Sequence, residues 1–106
     1  MSDSNARYKV VLVFNLKPGS ADEELQRSGQ PDSFPSRLAA QPGFLSLELV
    51  RASADRTLSI QTWRSERDWW AALQAVKGQQ AAEAQDNILV SRDFFGGPVV
   101  AEHRAP

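Results

Sequence analysis

Two residues of this sequence could exchange protons with a bound molecule, and both belong to predicted β-strands. His103 is the chain's single histidine, and histidine is the residue type that most often acts as a general base near neutral pH. Glu48 could act as a base if its carboxylate were buried beside a ligand. For His103 the competing interpretation is a surface or interface residue beside Glu102 and Arg104. For Glu48 it is a cross-strand or inter-subunit hydrogen bond.

Four further residues could bind or orient a ligand. The amide of Asn15 could donate a hydrogen bond to a substrate oxygen, and the indole of Trp63 could line a pocket and donate its N–H. Gln61 is predicted to share a sheet face with Glu48, and Trp70 could cover the mouth of a pocket. Each has an alternative interpretation. For Asn15 it is a hydrogen bond to nearby backbone or water, and for Gln61 a cross-strand or inter-subunit hydrogen bond. For the tryptophans it is core or interface packing. The candidate catalytic residues are Asn15, Trp63 and His103, and the candidate substrate-binding residues are Glu48, Gln61 and Trp70.

Alternating and β-branched side chains predict four strands. In the hairpin of residues 43–64, a stripe formed by Leu45, Leu47 and Leu49 is expected to pack under helices. Residues 92–98 contain Gly96-Gly97-Pro98 and are predicted to be a turn-rich connection. The predicted strands span residues 7–16, 43–51, 57–64 and 99–104.

Helical patterns occupy the two long connections. Residues 20–41 are predicted to be helical with a break near residues 29–33. A second helix begins at Ser65, which with Asp68 resembles a capping box. Gly78 is expected to kink or break this helix, and residues 79–89 are predicted to resume it. Its buried stripe is predicted to contain Trp69, Trp70, Leu73 and Val76, and the inner side of residues 79–89 to contain Ala81, Ala82, Gln85, Ile88 and Leu89.

The element order is therefore β-α-β-β-α-β, which predicts an α+β fold: a ferredoxin-like antiparallel sheet with both helical regions on one face. The opposite face would expose Val11, Val13, Val50 and Trp63. An apolar face of that extent is seldom exposed on a monomer, so we expect a homodimer related by two-fold symmetry.

Composition excludes several classes of protein. The 106 residues suit one domain, predicted over residues 7–106 after a disordered tail at residues 1–6. The net charge of −1, from 12 basic and 13 acidic residues, gives no footprint for nucleic acid. The absence of cysteine and the single histidine disfavour disulfides, a thiolate nucleophile and a multi-histidine metal site. We found no signal peptide and no apolar run long enough to span a membrane, so a cytoplasmic protein is expected.

Two motifs carry a resemblance to a known family. They are Pro42-Gly43-Phe44 followed by a strand, and a strand that ends in Trp63-Arg64-Ser65-Glu66 and runs into a helix. Together with a first strand that ends within residues 14–19, these two motifs resemble the antibiotic biosynthesis monooxygenase family of the dimeric α+β barrel superfamily. The resemblance covers roughly residues 8–104. It implies a dimer whose two sheets pack into a barrel, with a pocket between the sheet and the helices of each subunit.

The family includes cofactor-independent quinone-forming monooxygenases and haem-degrading monooxygenases. The resemblance implies that Asn15 and Trp63 correspond to two residues used by the haem-degrading members. Their third residue, a histidine late in the second helical region, has no counterpart in residues 78–87. We therefore expect a cofactor-independent monooxygenase of a small aromatic or polyketide-like substrate. In that enzyme Asn15 and Trp63 would orient the substrate, and His103 or Glu48 would accept protons. The alternatives are a non-catalytic barrel that binds a small molecule or acts in a stress response, and a purely structural dimerisation module.

Overall fold

The computed structural model describes residues 6–80 and 88–106 of the chain. This part contains four strands and three helices, in the predicted order with the first helical region divided in two. The strands are β1 (Tyr8–Leu16), β2 (Phe44–Ser53), β3 (Arg56–Trp63) and β4 (Leu89–Pro98), and the helices are α1 (Ala21–Ser28), α2 (Phe34–Ala39) and α3 (Glu66–Gln80).

The strands form one antiparallel sheet in the order β2-β3-β1-β4. This arrangement confirms the predicted ferredoxin-like α+β fold. Central strand β1 alternates as expected, because Tyr8, Val10 and Leu12 are buried on the face that the helices cover. Val11 and Val13 lie on the opposite face, which we call the open face, and are partly exposed.

The second strand of the hairpin, β3, presents its side chains to the faces opposite to those predicted. Trp63 is in register with Tyr8, and Gln61 is in register with Val10, so both lie on the covered face. Ile60 lies opposite Val11 and therefore on the open face. The predicted exposure of Trp63 on the bare face is wrong, because its side chain is completely buried.

The predicted leucine core of the hairpin is also wrong in part. Leu47 and Leu49 do lie on the covered face, opposite Gln61 and Ser59. Leu49 is nevertheless 37% exposed and Leu45 is 47% exposed. Leu49 is exposed because β2 is an edge strand, which the helices cover incompletely. Leu45 is exposed because it is the extra residue at a register shift between Phe44 and Ser46 and so leaves the alternation.

The last strand lies earlier in the chain than predicted. β4 occupies residues that were expected to form a turn-rich connection, and residues 99–106 have no regular secondary structure. A Cβ at Gly96 would lie 2.5 Å from the hydroxyl oxygen of Tyr8, so the glycine lets that side chain cross the strand. Pro98 ends an edge strand, where a missing N–H is tolerated. Here glycine and proline fit a strand rather than a turn.

Helix boundaries agree with the capping residues. The break between α1 and α2 ends at Ser33, whose hydroxyl accepts a hydrogen bond from the amide of Ser36 at 3.3 Å. The hydroxyl of Ser65 accepts one from the amide of Asp68 at 3.2 Å and caps α3. Gly78 does not interrupt the helix, which continues to Gln80.

The helix predicted over residues 79–89 is only partly described. Residues 81–87 lie outside the described part of the chain, with Ala81, Ala82 and Gln85 among them. The prediction is wrong at its end, because Ile88 lies in a turn and Leu89 begins β4. None of the helices in residues 6–80 and 88–106 is long and apolar enough to cross a membrane.

Candidate functional site

A cavity of about 330 Å³ lies between the covered face of the sheet and the helices α2 and α3. Its volume is at the lower end of the range usual for small-molecule sites. Four elements that lie far apart in the chain, β1, α2, α3 and β4, contribute to its wall. The lining residues are Leu12, Phe34, Trp69, Trp70, Leu73, Lys77, Arg92 and Phe94.

Helix α3 supplies half of the wall because of its side-chain spacing. Trp69, Leu73 and Lys77 follow one another at intervals of four residues, and Trp70 lies beside the first of them. Residues four apart occupy neighbouring positions on one helical face. The sequence of α3 therefore directs one apolar stripe, which ends in a lysine, towards the cavity.

The apolar part of the wall is an aromatic cluster. The rings of Trp69 and Phe94 are stacked, with centroids 5.8 Å apart and an interplanar angle of 12°. The ring of Trp70 packs beside both of them, and its centroid lies 6.1 Å from that of Trp69 and 5.7 Å from that of Phe94. Flat aromatic walls of this kind favour a flat, unsaturated ligand.

Trp69 also carries an unused hydrogen-bond donor. Its side chain is 1% exposed, and its Nε1 is the buried side-chain polar atom within the described residues that has no partner. An unpaired buried donor costs about 1–3 kcal/mol. The neighbouring Trp70 differs, because its Nε1 donates to Glu66 Oε2 at 3.0 Å.

Two cationic side chains complete the wall. Lys77 comes from α3 and Arg92 from β4, and both are exposed. Neither forms an ion pair or side-chain hydrogen bond with another described residue. Among the described residues that line the cavity, none is acidic. The cavity therefore combines apolar walls with positive charge.

The predicted site residue Trp63 lies outside this cavity, in a buried chain of hydrogen bonds. Trp63 Nε1 donates to Gln61 Oε1 at 2.9 Å, and Gln61 Nε2 donates to Ser59 Oγ at 3.0 Å. Gln61 and Ser59 line a second cavity of about 10 Å³, comparable to the space that one water molecule needs. The contacts of Trp63 and Gln61 are those of core residues.

Asn15 lies on the open face, at the end of β1 remote from Trp63. Its Nδ2 donates to Ser91 Oγ at 3.0 Å and to Asp93 Oδ2 at 3.3 Å, and its Oδ1 accepts from Arg56 Nε at 2.8 Å. The structure thus separates Asn15 from Trp63, although the sequence paired them in one site.

Neither of the predicted proton acceptors lines the cavity. Glu48 lies opposite Ile60 on the open face and is exposed, so the prediction that it shares a face with Gln61 is wrong. His103 follows the end of β4 in an exposed segment, so its predicted place in a strand is wrong too. Trp70 alone among the six candidates lines the cavity, and it is 43% exposed there.

Beside the aromatic cluster, Tyr8 packs against Gly96 on the covered face. Burial raises the pKa of the Tyr8 phenol above its usual value, and the negative charge of Glu66 raises it further. The phenol therefore remains protonated well into the alkaline range and is suited to packing rather than to proton transfer.

Sequence analysis missed Lys77, Arg92 and Phe94. Arg92 and Phe94 are two residues apart, a spacing that places them on one face of a strand. This spacing is typical of a strand, but the glycines and proline that follow it favoured the prediction of a turn. Lys77 continues the stripe of Trp70 and Leu73 by one helical turn and could have been identified from that spacing.

Comparison with solved structures identifies the same fold in other proteins. An alanine mutant of SnoaB, a cofactor-independent oxygenase from Streptomyces nogalater, matches with a TM-score of 0.68 and 17% identity, over 92% of this chain and 96% of that one. A mutant of MhuD with two manganese protoporphyrin IX molecules per active site matches with a TM-score of 0.75 and 17% identity, over 92% and 99%. A dimeric ferredoxin-like protein from an uncultured marine organism matches with a TM-score of 0.74 and 13% identity, over 99% and 97%.

At these identities the structural matches establish the fold alone. No curated protein matches the chain. Sequence comparison with protein families is more specific, because the antibiotic biosynthesis monooxygenase family matches residues 7–84, which is most of the chain. The chain belongs to the antibiotic biosynthesis monooxygenase family.

Proposed function

We propose that this protein is a cofactor-independent monooxygenase that oxidises a small aromatic or polyketide-like substrate in the cavity between α3 and the sheet. The observation that carries the proposal is the aromatic wall of Trp69, Trp70 and Phe94 around a cavity of about 330 Å³. Membership of the monooxygenase family supports the reaction type, and the flat walls support the substrate class.

The unused N–H of Trp69 supports a role in substrate activation. Nε1 has almost no exposed surface in this conformation, so a side chain beside Trp69 must turn aside before a phenol or quinol oxygen in the cavity can accept this hydrogen bond and relieve the unpaired donor. The bond strengthens as the oxygen becomes anionic, so it favours the enolate over the neutral substrate. Donation from this indole thus assists ionisation without a metal or flavin.

The proposed reaction needs only substrate and oxygen. An activated CH₂ group next to the aromatic ring loses a proton to water at the open mouth of the cavity and becomes a carbanion. The carbanion reduces O₂ by one electron, and the resulting radical pair combines into a C–OO⁻ group that takes up a proton. Loss of the second C–H proton then expels water and leaves a carbonyl. The balance is CH₂ + O₂ → C=O + H₂O.

Haem degradation is not supported by the residues present. The chain's single histidine, His103, lies in the exposed segment after β4, and no histidine lines the cavity. Porphyrin binding is a property of the MhuD mutant structure. We derive no step through haem for this chain.

Oxygen uptake tests the proposal. Metal- and flavin-free protein is mixed with a panel of anthrones, which carry the CH₂ group that the reaction oxidises, and oxygen consumption is compared with buffer alone. With ¹⁸O₂, we expect one labelled oxygen atom in the quinone product. Trp69→Phe, which removes the unpaired N–H, should lower kcat more than Trp70→Phe, because Trp70 donates to Glu66 instead.

The second candidate is a protein that binds a small aromatic molecule without converting it. It is favoured by the lining that the described residues provide, which contains no carboxylate and no imidazole. Binding of a naphthalene ligand, measured by calorimetry, together with no oxygen uptake above the buffer rate for any substrate, would establish this alternative.

The open face supports a two-fold homodimer. Val11, Val13 and Ile60 form a continuous apolar patch there, and Phe95 extends it with 61% of its side chain exposed. Apolar patches of this kind are commonly covered by a partner. A second copy of the same sheet would bury both patches at once and complete the barrel implied by the family resemblance.

A further inference from the structure

The two cationic residues of the cavity come from opposing walls. Lys77 extends the α3 stripe one turn beyond Leu73, and Arg92 lies two residues before Phe94 on the same face of β4. Both are exposed, so their charged ends reach solvent while their aliphatic stems border the aromatic cluster. The positive charge is therefore concentrated at the edge of an apolar cavity.

Acidic residues near these cations in the described part of the chain are directed elsewhere. Asp93 follows Arg92 but lies on the open face, where its carboxylate accepts from Asn15. Glu66 lies eleven residues before Lys77, about 16 Å along the helix axis, and accepts from Trp70. Neither cation has a carboxylate partner within residues 6–80 and 88–106, and the cavity lining from those residues contains no carboxylate.

The positive charge is local rather than global. The whole chain carries a net charge of −1, so its long-range field does not attract anions. Two like charges beside one apolar cavity repel each other, and an anion between them removes that repulsion. The planar guanidinium of Arg92 matches a carboxylate in particular, because it can donate two parallel hydrogen bonds.

We propose that the ligand of this cavity is an aromatic carboxylate. Its fused ring lies against Trp70 and Phe94, which are 43% and 41% exposed, and its carboxylate lies at the mouth between Lys77 and Arg92. This proposal rests on the proposed function for the location of the site and deepens it by naming the substrate class. The ring oxygen of the substrate accepts a hydrogen bond from the Trp69 N–H, and its carboxylate binds the two cations. The cations therefore recognise the substrate, and Trp69 activates it.

A matched pair of probes isolates the charge. 2-Naphthoate and 2-naphthamide have nearly the same shape and differ in charge, and calorimetry on the full chain gives a Kd for each. We expect naphthoate to bind about tenfold more tightly at low ionic strength, as charge-assisted bonds at a partly exposed site allow. The advantage should shrink as salt is added, because these charges are open to solvent.

Substitution of Lys77 and Arg92 tests whether these two residues cause the preference for naphthoate. Lys77→Gln and Arg92→Gln should each weaken naphthoate binding by about three- to tenfold and leave naphthamide unchanged. Arg67→Gln removes the same charge from an exposed position of α3 outside the cavity and should change neither Kd. Circular dichroism checks that the variants keep the fold, which we expect because both cations are exposed.

Several results would overturn the inference. Equal affinity for the two probes, binding of neither probe, or an equal loss in Arg67→Gln would each do so. Failure of the inference and failure of the proposed function are distinguishable. If the protein consumes oxygen with neutral anthrones but does not prefer naphthoate, the proposed monooxygenase function stands and the carboxylate substrate class is refuted. If the protein prefers naphthoate but consumes no oxygen with any carboxylated or neutral anthrone, the binding site stands and the oxygenase proposal fails.

Discussion

The indole Nε1 of Trp63 donates a 2.9 Å hydrogen bond to Oε1 of Gln61, two residues earlier on the same face of β3. Both side chains are completely buried, and Gln61 in turn donates to Ser59. Buried polar groups are stable when they satisfy one another. This is why the strand face with the more polar sequence, and not the face with Leu58 and Ile60, lies under the helices.

Gln61→Leu is expected to destabilise the fold by about 1–3 kcal/mol, because it leaves the Trp63 N–H buried without an acceptor. Urea unfolding followed by circular dichroism measures the change. The double variant Gln61→Leu/Trp63→Phe removes donor and acceptor together and should lose less than the sum of the two single variants. Strict additivity would mean that this hydrogen bond does not contribute.

Gly96 and Gly97 offer a matched pair of alanine substitutions in β4. A Cβ at Gly96 would meet Tyr8 at 2.5 Å and Phe94 at 2.9 Å, whereas one at Gly97 meets nothing within 4 Å. Gly96→Ala should lower the free energy of unfolding by about 1–3 kcal/mol, and Gly97→Ala should change it by less than about 0.5 kcal/mol. Tyr8→Phe should partly rescue Gly96→Ala, since the hydroxyl is the nearest atom. Equal stability of the two alanine variants would contradict the close approach.

Phe94 and Phe95 are adjacent residues on opposite faces of β4. Phe94→Ala removes the ring stacked on Trp69 and should weaken 2-naphthamide binding by about tenfold or more, the scale of a lost aromatic contact. Phe95→Ala lies on the open face and should leave that Kd unchanged. Calorimetry of both variants provides the comparison. A larger loss in Phe95→Ala would place the ligand on the wrong side of the sheet.

Ile60→Lys places a charge on the open face and should dissociate the proposed homodimer, because a buried unpaired ammonium is costly. Sedimentation at micromolar concentration should give twice 11.7 kDa for the parent chain and about that mass for the variant. Ala71→Lys, on the exposed side of α3, is the control and should remain dimeric. A parent chain that sediments as a monomer refutes the dimer.

Ionisation of Tyr8 is expected to lower the stability of the fold at alkaline pH. Folding raises the pKa of the phenol by burial and by the charge of Glu66, so the unfolded chain ionises first. The stabilising contribution is complete below the unfolded pKa of about 10 and is lost as pH rises through the higher folded pKa. Urea unfolding between about pH 8 and pH 11 should show this fall. In Tyr8→Phe the fall should be shallower, and an identical slope would contradict the assignment.

The sequence by itself determined the order of the elements and most of their boundaries. The alternation of β1, the break between α1 and α2, and the cap at Ser65 are local signals, and each depends on residues that are neighbours in the chain. Local signals of this kind persist whatever the rest of the chain does, which is why the ferredoxin-like fold could be predicted from them.

The tertiary structure alone decided which face of β3 is buried and where the cavity lies. An alternating strand has two solutions that differ by one residue of register, and the choice depends on pairing with β1. Gly96 and Pro98 indicate a turn locally but fit an edge strand that packs beside Tyr8. The cavity joins Leu12, Trp69 and Arg92, which lie far apart in the chain. No local pattern encodes their proximity, because only the packing of α3 on the sheet brings them together.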